Sequence, residues 1–122
     1  MTNTHPLRTE DLRQFFGTET WYRHALVRGV LYTDGARHVA EAGGAYWLLD
    51  EIALAQQYEP SVKDEAFQVW KLTVHEDRTA ILSCEDGNLE EVYRKTLDYT
   101  DFPLPEITLW FTDKVILLPS EY

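Results

Sequence analysis

Cysteine is nearly absent from this 122-residue chain: Cys84 stands alone. No disulfide can form within the chain, and no cysteine-based zinc site can close. Basic residues are also scarce, with 11 lysines and arginines against 21 acids and a net charge of −10. The deficit is uneven. Residues 1–40 hold five basic and four acidic side chains, whereas residues 41–122 hold six and 17. An acidic body of this kind repels phosphate backbones, so direct nucleic-acid binding is not expected. Long apolar runs are missing too. The longest stretches fall far short of the roughly 20 residues that a membrane span needs. The N-terminus has no basic stretch followed by an apolar run, so a secretory leader is not expected and the cytoplasm is the default location. There is no glycine-rich phosphate loop, no G-x-S-x-G elbow and no dinucleotide fingerprint.

Core material, by contrast, is plentiful. Hydrophobic residues make up 44% of the chain and aromatic ones 13%, which excludes wholesale disorder. The length suits one domain over residues 1–122, with residues 1–8 reading as a loose arm. Thr9 is placed to cap a short helix that Gly17 ends. Trp21–Leu26 and Val30–Tyr32 read as a hairpin around Arg28-Gly29. Thr33 or Asp34 then caps a helix over 36–42, which Gly43-Gly44 stops. A third helix covers 45–58, and Pro60 marks its end. The second half changes period. Residues 67–75, 79–84, 92–99, 107–111 and 115–118 read as strands separated by turn chemistry. The expected architecture is α+β: an antiparallel β-sheet of five to seven strands with two or three helices packed on one face.

The third helix carries more apolar surface than one core stripe requires. Ala45, Leu48, Leu49, Ile52 and Ala55 share one wide face. Trp47, Leu54 and Tyr58 lie nearly opposite, flanked by Asp50 and Glu51. Tryptophan and tyrosine beside charged residues have the composition of an interface hot spot. The leading expectation is therefore a non-enzymatic interaction module. It acts through an aromatic, acid-rimmed surface at Trp47, Asp50, Glu51, Leu54 and Tyr58, on a homodimer partner or a basic protein.

The competing expectation is a small enzyme or ligand-binding domain with a pocket near Asp34, His38, Tyr99, Asp101 and Phe102. Asp34 and His38 sit on adjacent turns and offer a carboxylate and an imidazole. His38 and Glu41 share a helix face, but no third metal ligand is nominated, so no metal and no cofactor are expected. Aromatic-Thr-Asp recurs at Tyr32–Asp34, Tyr99–Asp101 and Phe111–Asp113, each time after an expected strand, where aspartate starts a turn. Cys84 sits beside Glu85 and Asp86, which suppress a thiolate, so it is no candidate nucleophile. No catalytic residue is assigned.

Several phrases carry a resemblance when taken together. They include Trp21-Tyr22-Arg23-His24, Tyr32-Thr33-Asp34-Gly35, Ala45-Tyr46-Trp47-Leu48-Leu49-Asp50, Phe67-Gln68-Val69-Trp70 and Cys84-Glu85-Asp86-Gly87-Asn88. Tyr99-Thr100-Asp101-Phe102-Pro103-Leu104 and Leu117-Leu118-Pro119-Ser120-Glu121-Tyr122 complete the set. The chain from about Leu12 to Tyr122 resembles a family of small uncharacterised bacterial proteins, a domain of unknown function. That resemblance implies a bacterial, single-domain protein and brings no activity, cofactor or site residue.

Overall fold

A computed structural model describes residues 7–15 and 20–122. Among the described residues, seven strands form one sheet: β1 (Trp21–Arg23), β2 (Leu31–Thr33), β3 (Phe67–Val74), β4 (Ala80–Glu85), β5 (Glu91–Leu97), β6 (Glu106–Thr112) and β7 (Val115–Leu117). Three α-helices lie between β2 and β3: α1 (Asp34–Ala42), α2 (Tyr46–Tyr58) and α3 (Pro60–Lys63). The expected α+β class and strand number hold. The sheet order is β1-β2-β7-β6-β3-β4-β5. One correction is needed: the sheet is mixed, because β2 and β7 pair in parallel. All other neighbours are antiparallel. Hairpins impose antiparallel pairing on strands joined by short turns. The chain from β2 to β7 passes through all three α-helices and four strands, so no turn constrains their direction.

The helices form where the local chemistry allows. The Thr33 hydroxyl accepts from the Ala36 N–H at 3.2 Å, so Thr33 rather than Asp34 is the cap of α1. Gly43 follows the last residue of α1, and a Cβ there would lie 2.7 Å from both Phe102 Cε1 and the Val39 carbonyl. Only glycine lets the α1–α2 corner pack so closely against Phe102. Helix α2 buries Leu48, Leu49, Ile52 and Ala55, with Ala45 just before it, as the apolar stripe predicts. Pro60 ends the expected helix but also opens α3 as its first residue, where its missing N–H costs nothing. The short N-terminal helix is a 3-10 turn over Thr9–Gln14, with Arg8 rather than Thr9 at its cap position. Leu7 is buried in the core, so the expected loose arm does not extend to residue 8. His5, Gly17 and the start of that arm lie outside the described residues.

Alternation sorts the strand side chains onto two faces. Trp70, Leu72, Leu82, Cys84, Leu109 and Ile116 point into the core beneath the helices. Phe67, Val69, Trp110 and Leu117 occupy the other face, with Val69, Trp110 and Leu117 in one cross-strand row. Two polar devices bind the layers. Gln68, fully buried on β3, is hydrogen-bonded to Gln56 of α2, the carbonyls of Val62 and Glu65, and the Trp70 indole. Glu121, also buried, accepts from the Thr33 hydroxyl, the Gly35 N–H and the Leu118 N–H. It fastens the chain's last described turn to the start of α1, where the helix dipole favours a carboxylate.

Candidate functional site: clefts on the two faces of the sheet

The residues of the expected α2 interface are partly engaged. Trp47 and Leu54 are half-buried against the core, together with Tyr93 and Leu97 of β5. The Asp50 carboxylate lies 2.8 Å from His24 Nε2. The other ring nitrogen of His24 accepts from the N–H groups of Leu26 and Val27 at 3.1 and 3.0 Å. That pattern assigns the proton to Nε2, which donates to Asp50. His24 is therefore a buried clasp between the first hairpin and α2. Glu51 binds Lys95 at 2.6 Å, tying α2 to β5. Tyr58 projects freely, 71% exposed.

The expected pocket is divided between two places. Asp34 and His38 line an open cleft of about 420 Å³ with Tyr22, Arg37, Glu41 and Phe15. Helical spacing puts Asp34, Arg37, His38 and Glu41 on one face of α1. Arg37 lies 4.7 Å over the Tyr22 ring and donates to Glu41 at 3.0 Å. The Tyr22 hydroxyl donates to Asp34 at 2.9 Å, and the Tyr46 hydroxyl donates to Glu41 at 3.0 Å. Tyr46 and then Arg37 hold the Glu41 carboxyl below its usual range. Desolvation, followed by Glu41, pushes the Tyr46 phenol up. Among the described residues, His38 Nε2 is the one buried side-chain polar atom without a hydrogen-bond partner.

Tyr99 and Asp101 instead line a separate cleft of about 270 Å³ with Trp47 and Leu97. The structure thus brings one member of the expected interface together with two members of the expected pocket. Phe102 belongs to neither cleft. It is fully buried in the core, and its carbonyl accepts from Arg78 at 2.6 Å. Arg78 also binds the Thr100 carbonyl, so the connector is pinned. The three aromatic-Thr-Asp aspartates fall in three different clefts and do not converge. No group of three or more metal-ligating side chains occurs among the described residues.

A further aromatic cluster escapes the sequence reading. Phe67, Trp110 and Tyr122 pack edge to face on the outer side of the sheet, with ring centroids 5.1 to 5.9 Å apart. Tyr122 is 75% exposed. Beside them, Trp21 of β1 is 52% exposed. Trp21 and Tyr122 line one cleft of about 300 Å³ with Asp113 and Thr112. Charged pairs flank this aromatic ground on the outer face: Lys71 with Glu85 at 3.7 Å, and Arg94 with Glu91 at 2.8 Å. The signal was available in part. Strand alternation alone puts Phe67 and Trp110 opposite Leu72 and Leu109. It does not say on which of the two faces α1, α2 and α3 pack.

Cys84 is fully buried on the core face of β4. Burial first, and then Glu65, Glu85 and Asp86, push its thiol up to about 12. The native thiol is therefore expected to resist Ellman's reagent at pH 8 and to react fully in denaturant. Quick labelling of the folded protein would contradict this. The sign of the linkage also follows. The folded state retains the proton above the ordinary value of 9.0. This contribution to stability is complete below pH 9 and fades as pH rises toward 12.

Comparison with known proteins adds one match. No curated protein and no solved structure matches the chain. A model of a family of unknown function, DUF6876, covers residues 7–122. With nearly the whole described domain matched, the chain belongs to that family.

Proposed function

We propose that this protein is a non-enzymatic interaction module that binds a basic protein through the aromatic outer face of its sheet. The observation that carries the reading is the Phe67–Trp110–Tyr122 cluster with half-exposed Trp21 beside it, on the face turned away from the helices. Large aromatic side chains supply contact area at small entropic cost, and they dominate interface energetics. A net charge of −10 steers positively charged partners toward the domain. The same charge disfavours nucleic acid, and it opposes a second copy of the chain. The Trp47, Leu54 and Tyr58 side of α2 is the secondary surface in this reading, because Asp50 and Glu51 are already tied to His24 and Lys95. A bacterial cytoplasm suits a domain with a single buried thiol.

A basic probe protein such as cytochrome c tests the reading by titration at low salt. Trp110→Ala is expected to weaken binding at least fivefold, whereas Tyr58→Ala leaves it nearly unchanged. Equal affinities for both variants would sink the proposal. Light scattering over a concentration series provides the second arm. A mass of twice the chain's that reverts in Trp110→Ala would make a second copy the occupant instead.

A second reading, a small-ligand site at Asp34 and His38, draws support from the unpartnered His38 Nε2 in the α1 cleft.

A further inference from the structure

We infer that the cleft between Trp21 and Tyr122 is a slot for one arginine side chain of the partner, with Asp113 as its counter-charge. This deepens the interaction reading above and rests on it. Trp21 is half exposed on edge strand β1, and its ring packs against no other ring among the described residues. Tyr122 is the more exposed wall, yet it is held in place. Phe67 and Trp110 meet its ring at interplanar angles of 85° and 73°. One aromatic wall is therefore pre-oriented by neighbours on the sheet, which lowers the ordering cost of binding.

The floor and rim define the charge that fits. Thr33, Thr112, Val115, Leu117 and Glu121 also line the cleft; the buried Thr33 hydroxyl is already bonded to Glu121, which leaves Thr112 and the aliphatic side chains as available surface. Asp113 stands at the rim in the β6–β7 turn, at φ +52° beside Lys114 at +66°. Among the described residues, Asp113 has no ion-pair partner. Among the described residues, no lysine, arginine or histidine lines the cleft. A cation entering between the two walls thus meets aromatic faces and a carboxylate, while neighbouring Lys114 lines a different cleft with Val27 and Gly29. An anion meets the reverse.

Guanidinium fits these features better than ammonium. It is planar, it stacks on an aromatic face, and it offers a carboxylate two parallel N–H groups. A volume of about 300 Å³ accommodates one such side chain. The aliphatic stem would lie over Val115 and Leu117 while the head reaches Asp113.

Nuclear magnetic resonance titration of the intact chain with a capped Gly-Arg-Gly peptide tests the slot, with lysine and citrulline counterparts as controls. The expected result is a shift of the Trp21 indole N–H. Lysine should bind several-fold more weakly, and citrulline at least tenfold more weakly, because it keeps the shape without the charge. Asp113→Asn tolerates the same positive φ and is expected to weaken the arginine peptide about tenfold. Trp21→Ala should do the same. Equal binding of citrulline, or no binding of any peptide at millimolar concentration, overturns the slot. Trp110→Ala separates the two levels. If it alone weakens binding, the slot is wrong and the outer face stands. If none of the three variants matters, both readings fall.

Discussion

Replacing Gln68 with leucine is expected to lower the unfolding free energy by about 3 kcal/mol, a fall in Tm of roughly 12 °C for a domain of this size. Leucine matches glutamine in bulk but cannot hydrogen-bond. The Trp70 indole N–H, 2.9 Å from Gln68 Oε1, then faces a buried site with no acceptor. An unsatisfied buried donor costs about 1–3 kcal/mol. Gln56 also loses both of its bonds to the Gln68 amide, although its own amide keeps the Ile52 carbonyl. The Val62 carbonyl retains the Glu65 N–H and so contributes less. Urea unfolding followed by tryptophan fluorescence and circular dichroism measures the loss. The slope m should stay unchanged, since the fold is the same. Gln56→Leu in the Gln68→Leu background should add less than it does alone, because the two amides share one network. A loss below about 1 kcal/mol would mean that water or a shifted rotamer replaces these bonds.

Gly35→Ala is the second large effect, and two physical terms oppose each other there. Helix propensity favours alanine over glycine by about 1 kcal/mol inside a helix. Packing favours glycine. A Cβ at Gly35 would lie 2.5 Å from Glu121 Oε1 and 2.6 Å from Leu118 Cδ1. The carboxylate cannot simply swing away. It is held by the Thr33 hydroxyl at 2.6 Å, the Leu118 N–H at 2.9 Å and the Gly35 N–H at 3.0 Å. Overpacking a rigid site costs about 1–3 kcal/mol, and any lost charge-assisted bond adds to that. Packing should win, with a net loss of about 2–4 kcal/mol. Glu121→Ala alone removes those bonds and is expected to cost about 2–3 kcal/mol. The double variant should cost little more than Glu121→Ala, because the carboxylate no longer obstructs the new methyl group and the space it leaves lets the end of the Leu118 side chain shift. Thermal denaturation of all four proteins closes this cycle. Simple additivity of the two losses would show that Gly35 and Glu121 do not act on each other.

Both predictions concern residues that sequence reasoning passed over. Gln68 reads as one polar position in a β-rich run, and nothing local says that five groups from three elements meet at its amide. Glu121 reads as an acid in the last turn. Two of its partners are 86 and 88 residues away. The stripe from Ala45 to Ala55, a cap at Thr33 or Asp34 and the tight turns at Asp86 and Asp113 were legible. Each depends on spacing within a few residues, which the chain itself imposes.

For the candidate sites, the sequence marked Trp47, Tyr99 and Asp101 as unusual but assigned them to different sites, and the fold joins them at one cleft. It set Phe102 beside a pocket, whereas the fold makes it a core plug under Gly43. The outer aromatic ground arises because Phe67, Trp110 and Tyr122 come from β3, β6 and the final turn, and because the helices cover only the opposite face.

By itself, the sequence determined class, the order of the strands and of the two longer helices, core stripe and charge, all of which follow from composition and short-range periodicity. Tertiary structure decided the parallel β2–β7 pairing, the Glu121 fastening and which aromatic face stays open. Those depend on which distant segments meet, and contact across so many residues leaves no periodic trace in one chain.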